Sequence, residues 1–304
     1  MKILVTGRDG QVGHELMRSL APLGEVVGVD LEDCDLSKPA AIERVLAHVK
    51  PDLILNPAAY TAVDKAESEP NLAHAVNAAA PEALAKYAAA KNIPIIHYST
   101  DYVFDGTKDS LYLETDKANP RSVYGKTKWL GEAAVRNNAP KHVILRTSWV
   151  FGSHGVNFLK TMLKLAQERD KLSVVADQVG SPTSAAMLAD ATAVIAKQLF
   201  APGATRKYGT YHLVADGETS WHGYAQWVVT KANELGLRTK IAPDAIRPIT
   251  TQEYPMPAPR PANSRLDTSK VVSVFGLNLP SWRDEVVEVL NTLVNEDGKV
   301  RDHA

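Results

Sequence analysis

Ile3-Leu4-Val5-Thr6-Gly7-Arg8-Asp9-Gly10-Gln11-Val12-Gly13 opens the chain with an apolar β-type run, a glycine-spaced turn and the start of a helical pattern. Leu16, Met17 and Leu20 then recur at helical spacing. A strand, a glycine turn and a helix in that order suit a pyrophosphate. The glycines permit a tight turn, close backbone approach and close helix–sheet contact. The phosphates would rest on free N–H groups at the positive end of the helix dipole. Gly7, Gly10, Gln11, Val12 and Gly13 are therefore assigned to a dinucleotide.

Working outward, Val26 to Asp30 reads as a second strand, and Asp30 falls where an acid can bond the adenosine ribose hydroxyls. Asp30 alone favours NADH. Arg8 in the glycine turn offsets this by offering a partner to a 2′-phosphate, so NADPH and NADH both stay open. Asp35 and Leu36 are placed near the adenine, with Asp35 equally suited to opening the helix from Pro39 to Val49. Leu53-Ile54-Leu55 is a third strand. The small residues that follow, Ala58, Ala59 and Thr61, let a cofactor lie against the backbone. A helical region runs through Asn77 to Ala90, Ile95 to Ser99 is a fourth strand, and Val143 to Leu145 is a fifth. This alternation predicts an α/β fold: a Rossmann-type doubly wound parallel sheet over roughly the first 150 residues.

The later half is more irregular. Helices are expected at 158–167, 187–199, 221–235 and 282–293, strands at 172–175 and 208–214, and irregular chain from Pro243 to Pro261. The division drawn from this pattern is 1–150 for the dinucleotide and 151–304 for a smaller C-terminal substrate lobe, with segments returning to the first domain.

Two tyrosines of the ten have a lysine four residues on: Tyr87 with Lys91, and Tyr124 with Lys128. Positions i and i+4 share a helix face, so either pair can bring a cation to a phenol. A nearby cation favours phenolate and pulls the phenol toward the working range of a proton donor. Topology separates the pairs. Tyr87 and Lys91 end the helix that leads into the fourth strand, whereas Tyr124 and Lys128 begin theirs. Crossover helices run antiparallel to the strands, so only the second pair reaches the carboxyl edge, where open α/β sheets bind ligands.

The 304 residues are 45% hydrophobic and 23% charged with a net charge of −1, an ordinary globular balance. There is no long basic run for nucleic acid and no apolar run of the ~20 residues that a membrane span requires. A single cysteine, Cys34, allows no internal disulfide and fits a reducing compartment. A cytoplasmic protein without a nucleic-acid or membrane partner is expected.

Further stretches carry a resemblance: Ala59-Tyr60-Thr61-Ala62-Val63-Asp64-Lys65-Ala66-Glu67, Tyr98-Ser99-Thr100-Asp101-Tyr102-Val103-Phe104-Asp105-Gly106, Tyr124-Gly125-Lys126-Thr127-Lys128, Arg146-Thr147-Ser148-Trp149, Asp177-Gln178-x-Gly180-x-Pro182-Thr183 and Arg260-Pro261-x-Asn263-Ser264. With the glycine turn, they make the chain resemble the extended short-chain dehydrogenase/reductases, within the branch that reduces dTDP-4-dehydrorhamnose. The resemblance implies that NADPH or NADH reduces the C4 keto group of dTDP-4-dehydro-β-L-rhamnose to give dTDP-L-rhamnose. It implies Thr100 as the hydroxyl bonding the substrate oxygen and Tyr124 as the proton donor. Lys128 is implied to bind the nicotinamide ribose and lower the tyrosine pKa. Thr100, Asp101, Tyr102, Trp149, Arg260 and Asn263 are implied as substrate contacts, the last two toward the diphosphate. The resemblance also admits a homodimer. Some similar proteins hold Mg²⁺ at a dimer contact through acids. Glu15 and Asp190 are present, but Ala186 stands where another acid is expected, and no metal ligand is assigned. Two other readings share the scaffold. One is a catalytically silent cofactor-binding subunit like the regulatory subunit of methionine adenosyltransferase, which retention of Thr100, Tyr124 and Lys128 disfavours. The other is a different nucleotide-sugar reductase or epimerase.

Overall fold

The computed structural model describes residues 1–294. Its main sheet has six parallel strands: β1 (Lys2–Thr6), β2 (Glu25–Val29), β3 (Leu53–Asn56), β4 (Ile95–Thr100), β5 (His142–Thr147) and a last one, Gly209–His212. Across the sheet the order is Gly209–His212, β5, β4, β3, β1, β2. The chain goes from β1 outward to β2, then returns to the other side of β1 as β3. That reversal opens a crevice at the carboxyl ends of β1 and β3.

Helices cover both faces, which is why the central strands are buried on both sides, with apolar runs at 3–5, 53–55, 95–96 and 143–145 and polar residues such as Ser99, Thr100, Arg146 and Thr147 toward their carboxyl ends. Ile3, Val5, Leu53 and Leu55 enter one core, with the helices Gln11–Ser19, Phe158–Glu168, Ala185–Gln198, Trp221–Glu234 and Trp282–Leu293. Leu4 and Ile54 point the other way, into a core shared with Pro39–Val49, Ala80–Lys91 and Val123–Asn138. Cys34 lies buried in this second core.

Three local features differ from the sequence reading. The segment 243–261 is not wholly irregular: Arg247–Ile249 pairs in parallel with Ser173–Val175, Pro248 facing Val174. A proline is tolerated there because this two-stranded ribbon is all edge. Ser269–Phe275 adds a short helix that the reading lacks. The region before Ala80 is broken into Val63–Ala66, Pro70–His74 and a five-residue π-helical turn, Ala75–Ala79, centred on Asn77. The last central strand returns from the later half of the chain to pair with β5. Among the described residues, no helix is long and apolar enough to cross a membrane.

Candidate active site

The glycine turn is built as a phosphate cradle. Gly7 adopts φ +67°, in the left-handed region that favours glycine. A Cβ on Gly13 would sit 1.8 Å from the Gly7 carbonyl oxygen, so only glycine lets the helix come this close. The helix Gln11–Ser19 begins at Gly10 with no side-chain cap, leaving its first N–H groups free for an anion. Gly7, Gly10, Gln11, Val12 and Gly13 line a cleft of about 510 Å³, with Asp30 at one wall and Ala58, Ala59 and Thr61 at another. Asp30 accepts the Asp9 N–H at 2.9 Å and the Leu31 N–H at 2.8 Å. Arg8 is tied to Asp33 at 3.0 Å and to the Gly28 carbonyl at 3.1 Å. Free N–H groups over a floor without bulk fit a dinucleotide.

Tyr124 and Lys128 enter the same cleft. Their helix starts where the Ser122 hydroxyl accepts the Gly125 N–H, which fixes Tyr124 in the first turn and Lys128 one turn deeper. A Cβ on Gly125 would lie 2.3 Å from the Tyr102 carbonyl oxygen, so the glycine between the pair permits the helix to press against the end of β4. Lys128 is 2% exposed and donates to the Tyr98 carbonyl at 2.6 Å. Tyr102 meets the Tyr124 ring edge-on, centroids 5.4 Å apart. Tyr87, by contrast, donates to the Leu46 carbonyl, and it lines a different groove with Lys91.

The expected electrostatics need correction. Burial pushes the Tyr124 phenol up to about 12, against a smaller downward pull from the Thr100 hydroxyl and a further push from Asp101. Burial also lowers the Lys128 ammonium to about 8, partly offset by Glu132. Lys128 is engaged by the Tyr98 carbonyl, and burial decides the direction of the phenol's shift. The i, i+4 spacing reports the charge pair but not desolvation, which here is the larger effect.

The family model described as the RmlD substrate binding domain matches residues 1–295. A dTDP-4-dehydrorhamnose reductase of Salmonella typhimurium is 49% identical over 298 residues, covering 96% of this chain and 98% of that protein. The chain belongs to this family. A dTDP-4-dehydrorhamnose reductase of Escherichia coli K12 is 47% identical over 298 residues, with 96% and 98% coverage. Among solved structures, a dTDP-4-dehydrorhamnose reductase from Clostridium acetobutylicum is similar with a TM-score of 0.88 and 36% identity, covering 96% of this chain and 99% of that one. The Bacillus anthracis reductase in complex with NADP has a TM-score of 0.85 and 33% identity at the same coverages.

A second cavity, of about 680 Å³, lies between Tyr102, Trp221, Met256 and Arg260. Arg260 lines it while holding Asp64 through a two-pronged ion pair, at 2.9 and 2.6 Å. That pair lowers the Asp64 carboxyl below its ordinary range. Thr100 and Asp101 are buried at the end of β4.

Other assigned residues are placed elsewhere. Asp35 faces Ser37 and Lys38 rather than the cleft, and Leu36 packs into the second core. Asn263 donates to the carbonyls of Lys108 and Ser110 and accepts from Arg265, so its amide is consumed in tying loops together. Trp149, at φ +48°, stacks on Trp221 with centroids 3.6 Å apart, and Trp221 rather than Trp149 lines the cavity. Arg18 bridges Glu15 and Asp190, at 3.3 and 3.0 Å. Among the described residues, no cluster of His, Cys, Asp and Glu is arranged to hold a metal.

The sequence reading missed Trp221 and Thr147. The Thr147 hydroxyl is buried without a partner among the described residues, and Thr147 lines the cleft. Its position after a predicted strand, at the same edge as Thr100, was the signal available. Asn77 proved to be a tie: it accepts the Tyr60 N–H at 2.8 Å and donates to the Tyr60 carbonyl at 3.1 Å and to Thr127 at 3.2 Å. It joins the chain just after the cofactor floor to the Tyr124 helix.

Proposed function

We propose that this chain reduces the C4 keto group of dTDP-4-dehydro-β-L-rhamnose with NADPH or NADH, giving dTDP-L-rhamnose. The observation that carries the reading is a single cleft in which the glycine turn, Tyr124 and Lys128 meet, next to a cavity bounded by Tyr102 and Arg260. The kinship with dTDP-4-dehydrorhamnose reductases supports the substrate.

In this reading residues 1–150 hold the dinucleotide and segments of the later half hold the sugar nucleotide. The turn from Gly7 to Gly13 holds the pyrophosphate, Asp30 the adenosine ribose, and Ala58, Ala59 and Thr61 the neighbouring cofactor surface. When bound, the nicotinamide supplies hydride to the carbonyl carbon. Tyr124 gives its phenolic proton to the carbonyl oxygen: the tyrosine O–H bond breaks as the alcohol O–H bond forms. A phenol pushed up to about 12 keeps its proton in the resting site. A cationic Lys128 favours the phenolate left behind, and solvent restores the proton. Thr100 bonds the same substrate oxygen, while Tyr102 and Arg260 bound the cavity for the rest of the substrate. Arg260 is suited to a diphosphate by its planar fork, once released from Asp64.

The test is loss of NADPH absorbance with dTDP-4-dehydro-L-rhamnose, with the product identified by NMR. The expected product is dTDP-L-rhamnose. Measurable cofactor binding with no turnover contradicts the reductase reading, and a 4-epimer product contradicts the assignment of substrate and outcome.

A further inference from the structure

Thr100 has one proton to give, and three groups surround its hydroxyl: the Asp101 carboxyl, the Tyr102 N–H and the Tyr124 phenol. Its Oγ1 lies 3.0 Å from Asp101 Oδ1 and accepts the Tyr102 N–H at 3.2 Å. A hydroxyl has one donor and two acceptor sites. If Asp101 is a carboxylate, it can only accept, so the Thr100 proton must point at it. Thr100 then has only a lone pair to offer a substrate oxygen, and a ketone oxygen that gains charge needs a donor there. If Asp101 carries a proton, the direction reverses: the carboxyl donates to Thr100, and Thr100 donates toward the reacting oxygen.

The surroundings favour the protonated carboxyl. Asp101 is 3% exposed, and among the described residues its buried Oδ2 has no partner in hydrogen-bond geometry. The Ser264 hydroxyl and the N–H groups of Asp101 and Tyr102 lie close enough to pull the carboxyl down, but by less than burial lifts it. An unpartnered buried carboxylate oxygen is far more costly than an unpartnered carbonyl oxygen. Among the described residues, none packed around it brings a full positive charge into contact. Tyr124 faces it from the helix Val123–Asn138, and Ser264 comes from the segment after Arg260. Thr147 is paired with Thr100 from β5. Tyr102 follows it in the chain, and the nearest ion pair, Arg260 with Asp64, lies by Tyr102.

We propose that Asp101 is a positioning residue whose protonated carboxyl turns the Thr100 hydroxyl toward the substrate oxygen, and that its ionisation switches this donor off. This rests on the reductase reading above. Burial lifts the Asp101 carboxyl to about 6, against smaller opposing pulls from Ser264, Thr100 and the N–H groups of Asp101 and Tyr102. A substrate that excludes more water lifts it further. Tyr124 titrates well above this range.

The test measures kcat and KM for ketone reduction from pH 5 to 9 with wild-type protein, Asp101→Asn and Asp101→Ala, each checked for folding by its thermal transition. The wild type should lose kcat about tenfold per pH unit above the Asp101 ionisation, with KM little changed. The Asn amide donates to Thr100 and cannot ionise. Asp101→Asn should therefore keep kcat within about threefold of the low-pH wild type and lack this limb, whereas Asp101→Ala should fall about thirtyfold or more. An Asn variant as slow as the Ala variant, or one that keeps the wild-type limb, overturns the proposal. A second arm does not need turnover: infrared difference spectra of cofactor-loaded protein between pH 5 and 8. A protonated-carboxyl band that is lost with rising pH and absent from Asp101→Asn supports the switch. Absence of that band in the wild type overturns it. If the wild type shows the band but does not oxidise NADPH with this sugar, the substrate assignment fails and the Asp101 protonation stands.

Discussion

Tyr124/Lys128 and Tyr87/Lys91 share a spacing and almost nothing else. Both pairs lie on helices that pack in the second core, on the same face of the sheet. The first begins its helix at the carboxyl edge, where Lys128 is buried under the Tyr98 carbonyl and the phenol faces the glycine turn. The second ends its helix at the opposite edge, where Lys91 lies 5.9 Å from the Tyr87 ring centroid and the phenol bonds the Leu46 carbonyl. Helix direction relative to the strands, rather than residue spacing, decides which pair can meet a ligand.

The sharpest way to break this comparison is to remove each hydroxyl in turn. Tyr124→Phe should lower kcat by about a thousandfold, the range for a positioned proton donor, with the NADPH dissociation constant changed less than about threefold by fluorescence titration. Lys128→Met should lower kcat/KM by about a hundredfold and weaken NADPH binding, if Lys128 holds the nicotinamide ribose and favours the phenolate as proposed. Lys91→Met should do neither.

The same Lys128 variant has a signed effect on stability. Burial lowers the ammonium to about 8 in the folded protein, so the charged form is disfavoured there relative to the unfolded chain. Wild-type stability should then rise as pH increases from about 8 toward the ordinary lysine value near ~10.4, and Lys128→Met should lack that rise. At neutral pH the cofactor-free variant should unfold at higher denaturant, by ~1 kcal/mol, after allowance for the Tyr98 carbonyl left unpaired.

Asn77→Ala probes the link between the cofactor floor and the Tyr124 helix. It deletes three hydrogen bonds, two of them to the Tyr60 backbone, and should lower stability by about 2 kcal/mol in urea unfolding. Asn77→Asp, which keeps the acceptor for the Tyr60 N–H, should lose less. The smallest effect belongs to Tyr87→Phe: about 0.5–1 kcal/mol of stability from its one bond to Leu46, and no change in kcat.

What was legible in the sequence follows the same division between local and tertiary causes. The apolar runs at 3–5, 53–55 and 95–96 and the glycines at 7, 10 and 13 identify the parallel sheet because each depends on local backbone demands or burial on both faces. The edge occupied by Tyr124 was legible because it follows from element order alone. The strand at Arg247–Ile249 was not: two of its three residues are exposed, one is proline, and its pairing partner lies more than seventy residues away. Asn263, placed toward the diphosphate by resemblance, spends its amide on the carbonyls of Lys108 and Ser110, tertiary contacts that the sequence does not display. The direction of the Tyr124 shift failed for a related reason: spacing reports a neighbouring charge but not the depth at which the pair is buried.

The most direct test of the Tyr124 assignment is single-turnover stopped flow on Tyr124→Phe preloaded with NADPH and mixed with dTDP-4-dehydro-L-rhamnose, with Tyr87→Phe run alongside. NADPH should bind both variants normally, its absorbance decaying at the wild-type rate in Tyr87→Phe and about a thousandfold more slowly in Tyr124→Phe. Decay at a near wild-type rate in Tyr124→Phe would contradict the assignment of the proton donor.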